Sequence, residues 1–343
     1  MPRSVSVLLP VYRDEPFLSE ALSSLEGQTF DDFEVVAVTE SLSEVTAAAL
    51  DASGLPIDRV EYDGGGGLAG ALNAGLERCA GDYVARMDAD DVALPHRLER
   101  QVEFLEAHPG VGVVGSRYRR IDRDGRYHGC TDVMRTDLEI RWRMLLSSCI
   151  PHPTAVMRRA VLERHDVRYR ERFDAAEDYD VLVRLLDHAE GANLSEPLLE
   201  YRIGTEDKKS VREADRQRRL ADRISHRYVS RSFPELGLNL RQVSDLRLLI
   251  HGGGATGLDK RELGATYLEL LSAFESKYEP HPDLVAVREE ATLQLLRALS
   301  RPPIRPDSLG LVVDAVRIDP RLPLRFLGYL RSNPEVLTSR IRR

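Results

Sequence analysis

Cysteine is scarce. The 343 residues hold only Cys79, Cys130 and Cys149, none of them in a C-x-x-C pair. This excludes a cysteine zinc site and a disulfide framework, and it fits a reducing compartment. Long apolar runs are also missing: no stretch approaches the roughly 18 residues of a bilayer-crossing helix. The first residues run straight into a strand with no apolar leader, so a cytoplasmic protein is expected. Net charge is −8 with 30% charged residues, too mild for a nucleic acid or other polyionic partner. Aromatics make up 6%, with a single tryptophan, Trp142, expected in the core. No G-x-G-x-x-G follows the first strand, which argues against a dinucleotide fingerprint.

What is present reads as α/β. Val5–Leu9, closed by Pro10, is an apolar strand, and Leu18, Ala21, Leu22 and Leu25 fall at helical spacing. Strands are expected at Phe33–Val38, Ile57–Tyr62, Tyr83–Met87 and Val111–Gly115, with helices near 44–52, 68–76 and 95–108. The alternation implies a parallel, doubly wound sheet over the first hundred residues. A helix at Ala176–His188 and a short strand at Glu200–Ile203 complete this part. Beyond it come an arginine-rich helix over 208–231, a linker at Gly252–Gly254 and helices at 262–278 and 284–299, broken up by Pro302, Pro303, Pro306 and Pro320. The expected domains are 1–205, an α/β domain, and 206–343, a helical extension.

Four features could carry chemistry. Pro10-Val11-Tyr12 leaves strand one where a base could rest. Gly64–Gly67 opens a helix, and glycines let exposed N–H groups approach a phosphate or ribose. The 81–87 strand ends in Asp88, Asp90 and Asp91, at the strand end where open α/β sheets bind ligands. Two residues apart, Asp88 and Asp90 point the same way if the backbone stays extended. Crowded carboxylates repel unless a cation neutralises them, and a hard divalent ion shared with substrate phosphates suits them. Finally, Glu177, Asp178 and Asp180 open a helix, where the macrodipole favours acids and where Asp178 could act as a general base. Each feature alone also has a plain structural reading: strand exit, surface loop, solvated acidic turn, helix cap.

Taken in order, these residues resemble a family. Val5–Tyr12, Gln28-Thr29-Phe30, Phe33-Glu34, Gly67-Leu68-Ala69 through Asn73-Ala74-Gly75, Ala85–Asp91, His152-Pro153-Thr154 and Ala176–Asp180 are similar to the motifs of inverting family-two glycosyltransferases of the GT-A fold. The resemblance covers about 4–205. It implies a GT-A-like doubly wound mixed sheet flanked by helices, with an α-helical C-terminal extension. It also implies sugar transfer from a UDP- or GDP-sugar to a hydroxyl of a glycan or lipid-linked acceptor. Pro10, Tyr12, Glu40 and Asn73 would bind the nucleotide sugar. Asp88 would lie near the ribose or sugar, Asp90 on Mg²⁺ or Mn²⁺, and Asp178 would be the base. His152 and Glu177 would lie on the acceptor side.

The chain departs from that pattern in places. Thr39-Glu40 stands where the family usually has an Asp pair, and Gly70 and Leu72 replace basic residues of the glycine-loop helix. No Gln-x-x-Arg-Trp is present, so one transfer per encounter is expected rather than processive synthesis. Acids interspersed in the arginine-rich helix (Glu213, Asp215, Asp222) favour a solvated face. Leu322–Arg343 mixes apolar residues with arginines, so the C-terminal helices are candidates for peripheral contact at the inner face of the cell membrane. The rival readings are a nucleotidyltransferase and a non-catalytic scaffold on the same fold. Against the first, 11–15 hold no glycine-rich loop.

Overall fold

The computed structural model describes residues 4–204, 213–251, 259–300 and 309–332, with backbone alone at 309 and 328–332. The Gly252–Gly254 linker, residues 208–212, Pro302, Pro303, Pro306 and the 333–343 end of the C-terminal stretch lie outside the described residues. The chain divides into two compact units, Met1–Met144 with Ser148–Ala221, and Leu145–Ser147 with Asp222–Arg343. The division at 221/222, against the expected 205/206, falls inside the helix Ala214–Ser232.

The first unit holds a nine-stranded sheet: β1 (Val5–Tyr12), β2 (Phe33–Glu40), β3 (Ile57–Glu61), β4 (Tyr83–Arg86), β5 (Val92–Ala93), β6 (Val111–Ile121), β7 (Tyr127–Cys130), β8 (Val156–Arg158) and β9 (Glu190–Arg202). Around it lie α1 (Leu18–Glu26), α2 (Glu44–Ala52), α3 (Gly67–Leu76), α4 (Arg97–Ala107), α5 (Asp137–Met144), α6 (Arg159–Arg164) and α7 (Glu177–Leu185). The strand order is β3-β2-β1-β4-β8-β6-β9-β5, with β7 on β6. The β3-β2-β1-β4 part is parallel, as its helical crossovers require, whereas β8 is antiparallel to both β4 and β6. The sheet is therefore mixed.

β1 shows why this part was legible. Val5 through Leu9 are all buried, Ser6 included, as expected of a central parallel strand covered on both faces. Leu18, Ala21, Leu22 and Leu25, the positions read from helical spacing, are the buried face of α1. They pack into one core with Val5, Val7, Leu9 and Val11, each leucine contributing about 1.5–3 kcal/mol by leaving water.

Gly81 sits where a side chain would strike backbone. A Cβ there would lie 2.7 Å from Val5 C and Ser6 N of β1, and the Gly81 N–H donates to Ser6 Oγ at 2.9 Å. Gly81→Ala should cost about 1–3 kcal/mol by overpacking, seen as a lower urea midpoint at unchanged m. An unchanged midpoint would contradict this close approach.

The second unit is helical, with Leu240–His251, Lys260–Tyr278, Leu284–Leu299, Leu309–Ile318 and Leu322–Ser332 after the end of Ala214–Ser232. Leu263, Tyr267, Leu270 and Phe274 form one buried stripe. Asp259 caps that helix by accepting from the Arg261 and Glu262 N–H groups, which carries it two residues beyond the expected start. Tyr267 donates its buried hydroxyl to Gln294 at 3.0 Å. Leu324 and Leu327 of Leu322–Ser332 remain exposed.

Candidate active site

The carboxyl ends of β1, β2 and β4 share one edge of the sheet, and strand connections diverge on either side of β1. This is the switch point where such sheets bind ligands. Tyr12 and Glu40 are register partners at that edge, with Tyr12 exposed and Glu40 and Pro10 half-buried. The Arg13 guanidinium stacks 4.9 Å over the Tyr12 ring. On the other side of β1, Leu8 pairs with Arg86, so the chain leaves β4 about level with Pro10.

There the acidic residues depart from the expected extended geometry. Residues 88–91 form a turn, closed by the Asp91 N–H donating to Asp88 O at 3.3 Å. The turn nevertheless brings Asp88, Asp90 and Asp91 together, with one carboxylate oxygen of each within 4.8 Å of the others. Asp88 and Asp90 are half-buried, whereas Asp91 is fully buried and accepts the Arg202 N–H at 3.0 Å. Hard carboxylate oxygens on an accessible turn are donors of the kind that suits Mg²⁺ or Mn²⁺.

Beside the turn lies a group that local sequence did not reveal. Arg86, at the end of β4, is 3% exposed and forms an ion pair with Asp88. Its Nε and Nη1 are buried without a hydrogen-bond partner. The clue was visible as a lone charge in an apolar strand. A guanidinium never gives up its proton there, so Arg86 is a fixed positive charge facing Asp88, Tyr169, His152 and Asp178.

Asp178 opens α7. The helix is fixed behind it by Tyr179, which donates to Met144 O at 2.6 Å, and by Arg184, which pairs with Asp180 one turn earlier and donates to Arg168 O. Burial raises the Asp178 pKa above the ordinary carboxylate value, while the Tyr179 N–H and Arg86 restrain the rise. Glu177 is buried and accepts the Ala175 N–H at 2.7 Å. Ala175 has φ 90, a left-handed conformation costing a non-glycine residue about 1–3 kcal/mol. Strain of this kind, held three residues before Asp178, is common at functional sites.

His152 is buried and shares a 2.8 Å hydrogen bond with the Tyr169 hydroxyl. Tyr169 is held in turn by Asn73, whose amide donates to Tyr169 O at 2.8 Å and accepts from Tyr169 N at 2.9 Å. Both ends of the Asn73 amide thus engage the main chain of Tyr169. Burial, with Arg86 second, pushes the His152 pKa well below its ordinary 6.5. The unfolded chain then binds a proton below pH 6.5 that the fold refuses, so stability falls as pH drops, by about 1.4 kcal/mol per unit. Urea unfolding between pH 7 and 5 should show a steeper loss for the native chain than for His152→Gln. Equal slopes would mean a solvated ring.

The glycine loop differs from the expectation in part. It was expected to offer open N–H groups to a ligand, yet the chain itself takes two of them. The Gly66 N–H donates to the Tyr62 hydroxyl at 3.0 Å and the Ala69 N–H to Asp174 Oδ1 at 3.3 Å. A Cβ on Gly66 or Gly67 would lie 2.6–2.7 Å from Tyr62, Glu171 or Asp174. The glycines make room for these side chains. Arg216 reaches Asp174 at 3.6 Å and Glu213 at 2.7 Å, and Arg218 pairs with Asp215, so these arginines have acids beside them. Trp142 is buried, as expected, and His96 and His108 are exposed.

The sequence profile described as Glycosyl transferase family 2 matches residues 6–166. The amylovoran biosynthesis glycosyltransferase AmsE of Erwinia amylovora is 33% identical over 218 residues, spanning 59% of this chain and 77% of that protein. The O-antigen biosynthesis glycosyltransferase WbnJ of Escherichia coli is 30% identical over 211 residues, 58% of this chain and 79% of that one. Among solved structures, S. aureus TarS 1–349 in complex with UDP-GlcNAc aligns with a TM-score of 0.55 at 19% identity, over 94% of this chain and 92% of that one. The longer TarS chain is spanned over 55% of its length. The mannosyltransferase PcManGT from Pyrobaculum calidifontis, in complex with GDP-Man and Mn²⁺, aligns with a TM-score of 0.52 at 17% identity, over 94% and 87%. At such identities the structural likeness concerns the fold.

Proposed function

This chain belongs to glycosyltransferase family 2 and is a glycosyltransferase, and from that premise we propose that it moves a sugar from a nucleotide-diphosphate sugar to a glycan hydroxyl, with inversion and with help from a divalent cation. The fold is GT-A-like with a helical extension. Family membership leaves the nucleotidyltransferase and the scaffold behind.

One observation carries the proposal: the Asp88–Asp90 turn and the raised Asp178 act on the same fixed charge, Arg86, at the binding edge of the sheet. Asp90, with Asp88, would hold Mg²⁺ or Mn²⁺. When bound, the cation supplies Lewis-acid neutralisation of charge on the leaving diphosphate. Asp178 takes the proton of the acceptor hydroxyl as its oxygen attacks the anomeric carbon opposite the diphosphate. A single displacement from that side inverts the configuration. Burial suits Asp178 to this role, since a base gains strength as its pKa approaches the working pH. Tyr12, Pro10 and Glu40 line the edge where a base and ribose would rest, and His152 and Glu177 lie on the acceptor side.

The ligands named for the structural neighbours, UDP-GlcNAc in one and GDP-Man with Mn²⁺ in the other, support a nucleotide-sugar donor and a divalent ion. The names of AmsE and WbnJ, glycosyltransferases of amylovoran and O-antigen biosynthesis, support a glycan as acceptor. No described helix is long and apolar enough to cross a membrane. Exposed Leu324 and Leu327 suit peripheral contact at a membrane surface, and one sugar is transferred per encounter.

A thermal-shift screen tests the proposal. A ligand at 100 times its Kd stabilises by about 2.7 kcal/mol, so UDP or GDP with Mn²⁺ should raise the melting temperature, and one sugar nucleotide should raise it further. A shift with nucleoside triphosphates alone would overturn the proposal.

A further inference from the structure

The acidic turn is held from outside by a residue more than a hundred positions away. Arg202 ends β9 with its side chain 1% exposed. Its Nε donates to Asp90 O at 2.9 Å, and Nη1 donates to Asp122 O at 3.1 Å and to Arg123 O at 3.5 Å. Nη2 meets Glu20 Oε2 of α1 at 2.6 Å, and the guanidinium stacks 4.0 Å from the Phe17 ring centre. The Arg202 main-chain N–H returns a bond to Asp91 Oδ1 at 3.0 Å. One residue thus grips the turn twice, by its side chain at Asp90 and by its main chain at Asp91. The next two residues, Val92 and Ala93, pair with Glu200 and Leu199 of the same strand.

We propose that Arg202 is the positioning residue of the cation site: it sets the 88–91 turn so that Asp90 and Asp88 are in place before the ion arrives. This rests on the reading of Asp90 as a metal holder. The turn's own closing bond, 3.3 Å from Asp91 N to Asp88 O, is long. Three carboxylates with oxygens within 4.8 Å also push the turn open. A buried guanidinium under Asp90 opposes that repulsion, and its rigid fork fixes the backbone in a way a point charge cannot. Groups that orient metal ligands in this way typically change metal affinity about 10–100-fold when altered.

The experiment is a titration of the full chain with Mn²⁺, following free Mn²⁺ by electron paramagnetic resonance, in the presence of UDP or GDP, whichever raises the melting temperature. Wild type is compared with Arg202→Lys, Glu20→Ala and Asp90→Ala, and nucleotide affinity is measured in parallel in EDTA. Arg202→Lys keeps the charge but loses the fork, and should weaken Mn²⁺ about 10–100-fold with nucleotide affinity in EDTA unchanged. Glu20→Ala removes one half-exposed anchor of the guanidinium, and should weaken Mn²⁺ by about threefold or more. If Arg202→Lys does not fold, Glu20→Ala decides. Native Mn²⁺ affinity in the folded variants would overturn the positioning role alone, as would a parallel loss of Mn²⁺ and EDTA nucleotide affinity, which marks a merely structural residue. Mn²⁺ uptake absent from wild type, or kept by Asp90→Ala, would overturn the metal reading and the positioning role with it.

Discussion

Asp178→Asn should lower sugar transfer by about 10²–10⁴-fold, the usual contribution of a positioned general base, and leave nucleotide affinity nearly intact. Asparagine fills the same space at the start of α7, and the Tyr179 and Arg184 anchors that fix this helix do not involve residue 178. What disappears is the group that can take a proton. Because burial raises the Asp178 pKa, the native rate should fall on acidification at a pH above the ordinary aspartate range. Rate measurements under saturating donor, paired with nucleotide melting shifts, separate the two effects. Normal turnover in the variant would remove Asp178 from the chemistry.

Asp90→Ala should erase the dependence of nucleotide affinity on Mn²⁺, so that affinities with the ion and with EDTA coincide. The side chain stands on a turn whose backbone Arg202 holds through Asp90 O, a contact that alanine keeps. The loss therefore reports a missing oxygen ligand rather than a collapsed turn. Asp88 pairs with Arg86 and would hold the ion poorly alone. Calorimetry with and without Mn²⁺ reads the result, and an undiminished dependence would locate the cation elsewhere.

Part of this molecule could be read from short-range pattern. β1 and α1 were legible because burial there follows apolar spacing. β9 was expected only at 200–203, yet runs from Glu190. Its early part carries Pro197 and polar residues, and its pairing with β6 shifts register, so no period of two survives. β6 reaches Ile121 because it turns at Asp122 into β7, and its polar Arg119 and Arg120 face solvent. At the site, Asp88, Asp90 and Asp178 could be found as acids at element ends. Tyr169 and Arg202 could not, because their partners are Asn73 and Asp90, 96 and 112 positions away. The glycine loop was misread in part for a related reason: glycine signals close approach, and sequence does not say whether a ligand or another part of the chain approaches.

The acidic turn also acts as a measuring strap. Residues 87–91 join β4 to β5, which the sheet separates by β8, β6 and β9. A flat sheet would set those strands roughly 19 Å apart at about 4.8 Å per spacing, and a link folded into a turn cannot span that. The sheet must curl until the link fits, so curvature is set by the length of this loop as well as by strand twist. Adding one residue would slacken the curl and part the carboxylates together. The turn is therefore length-locked.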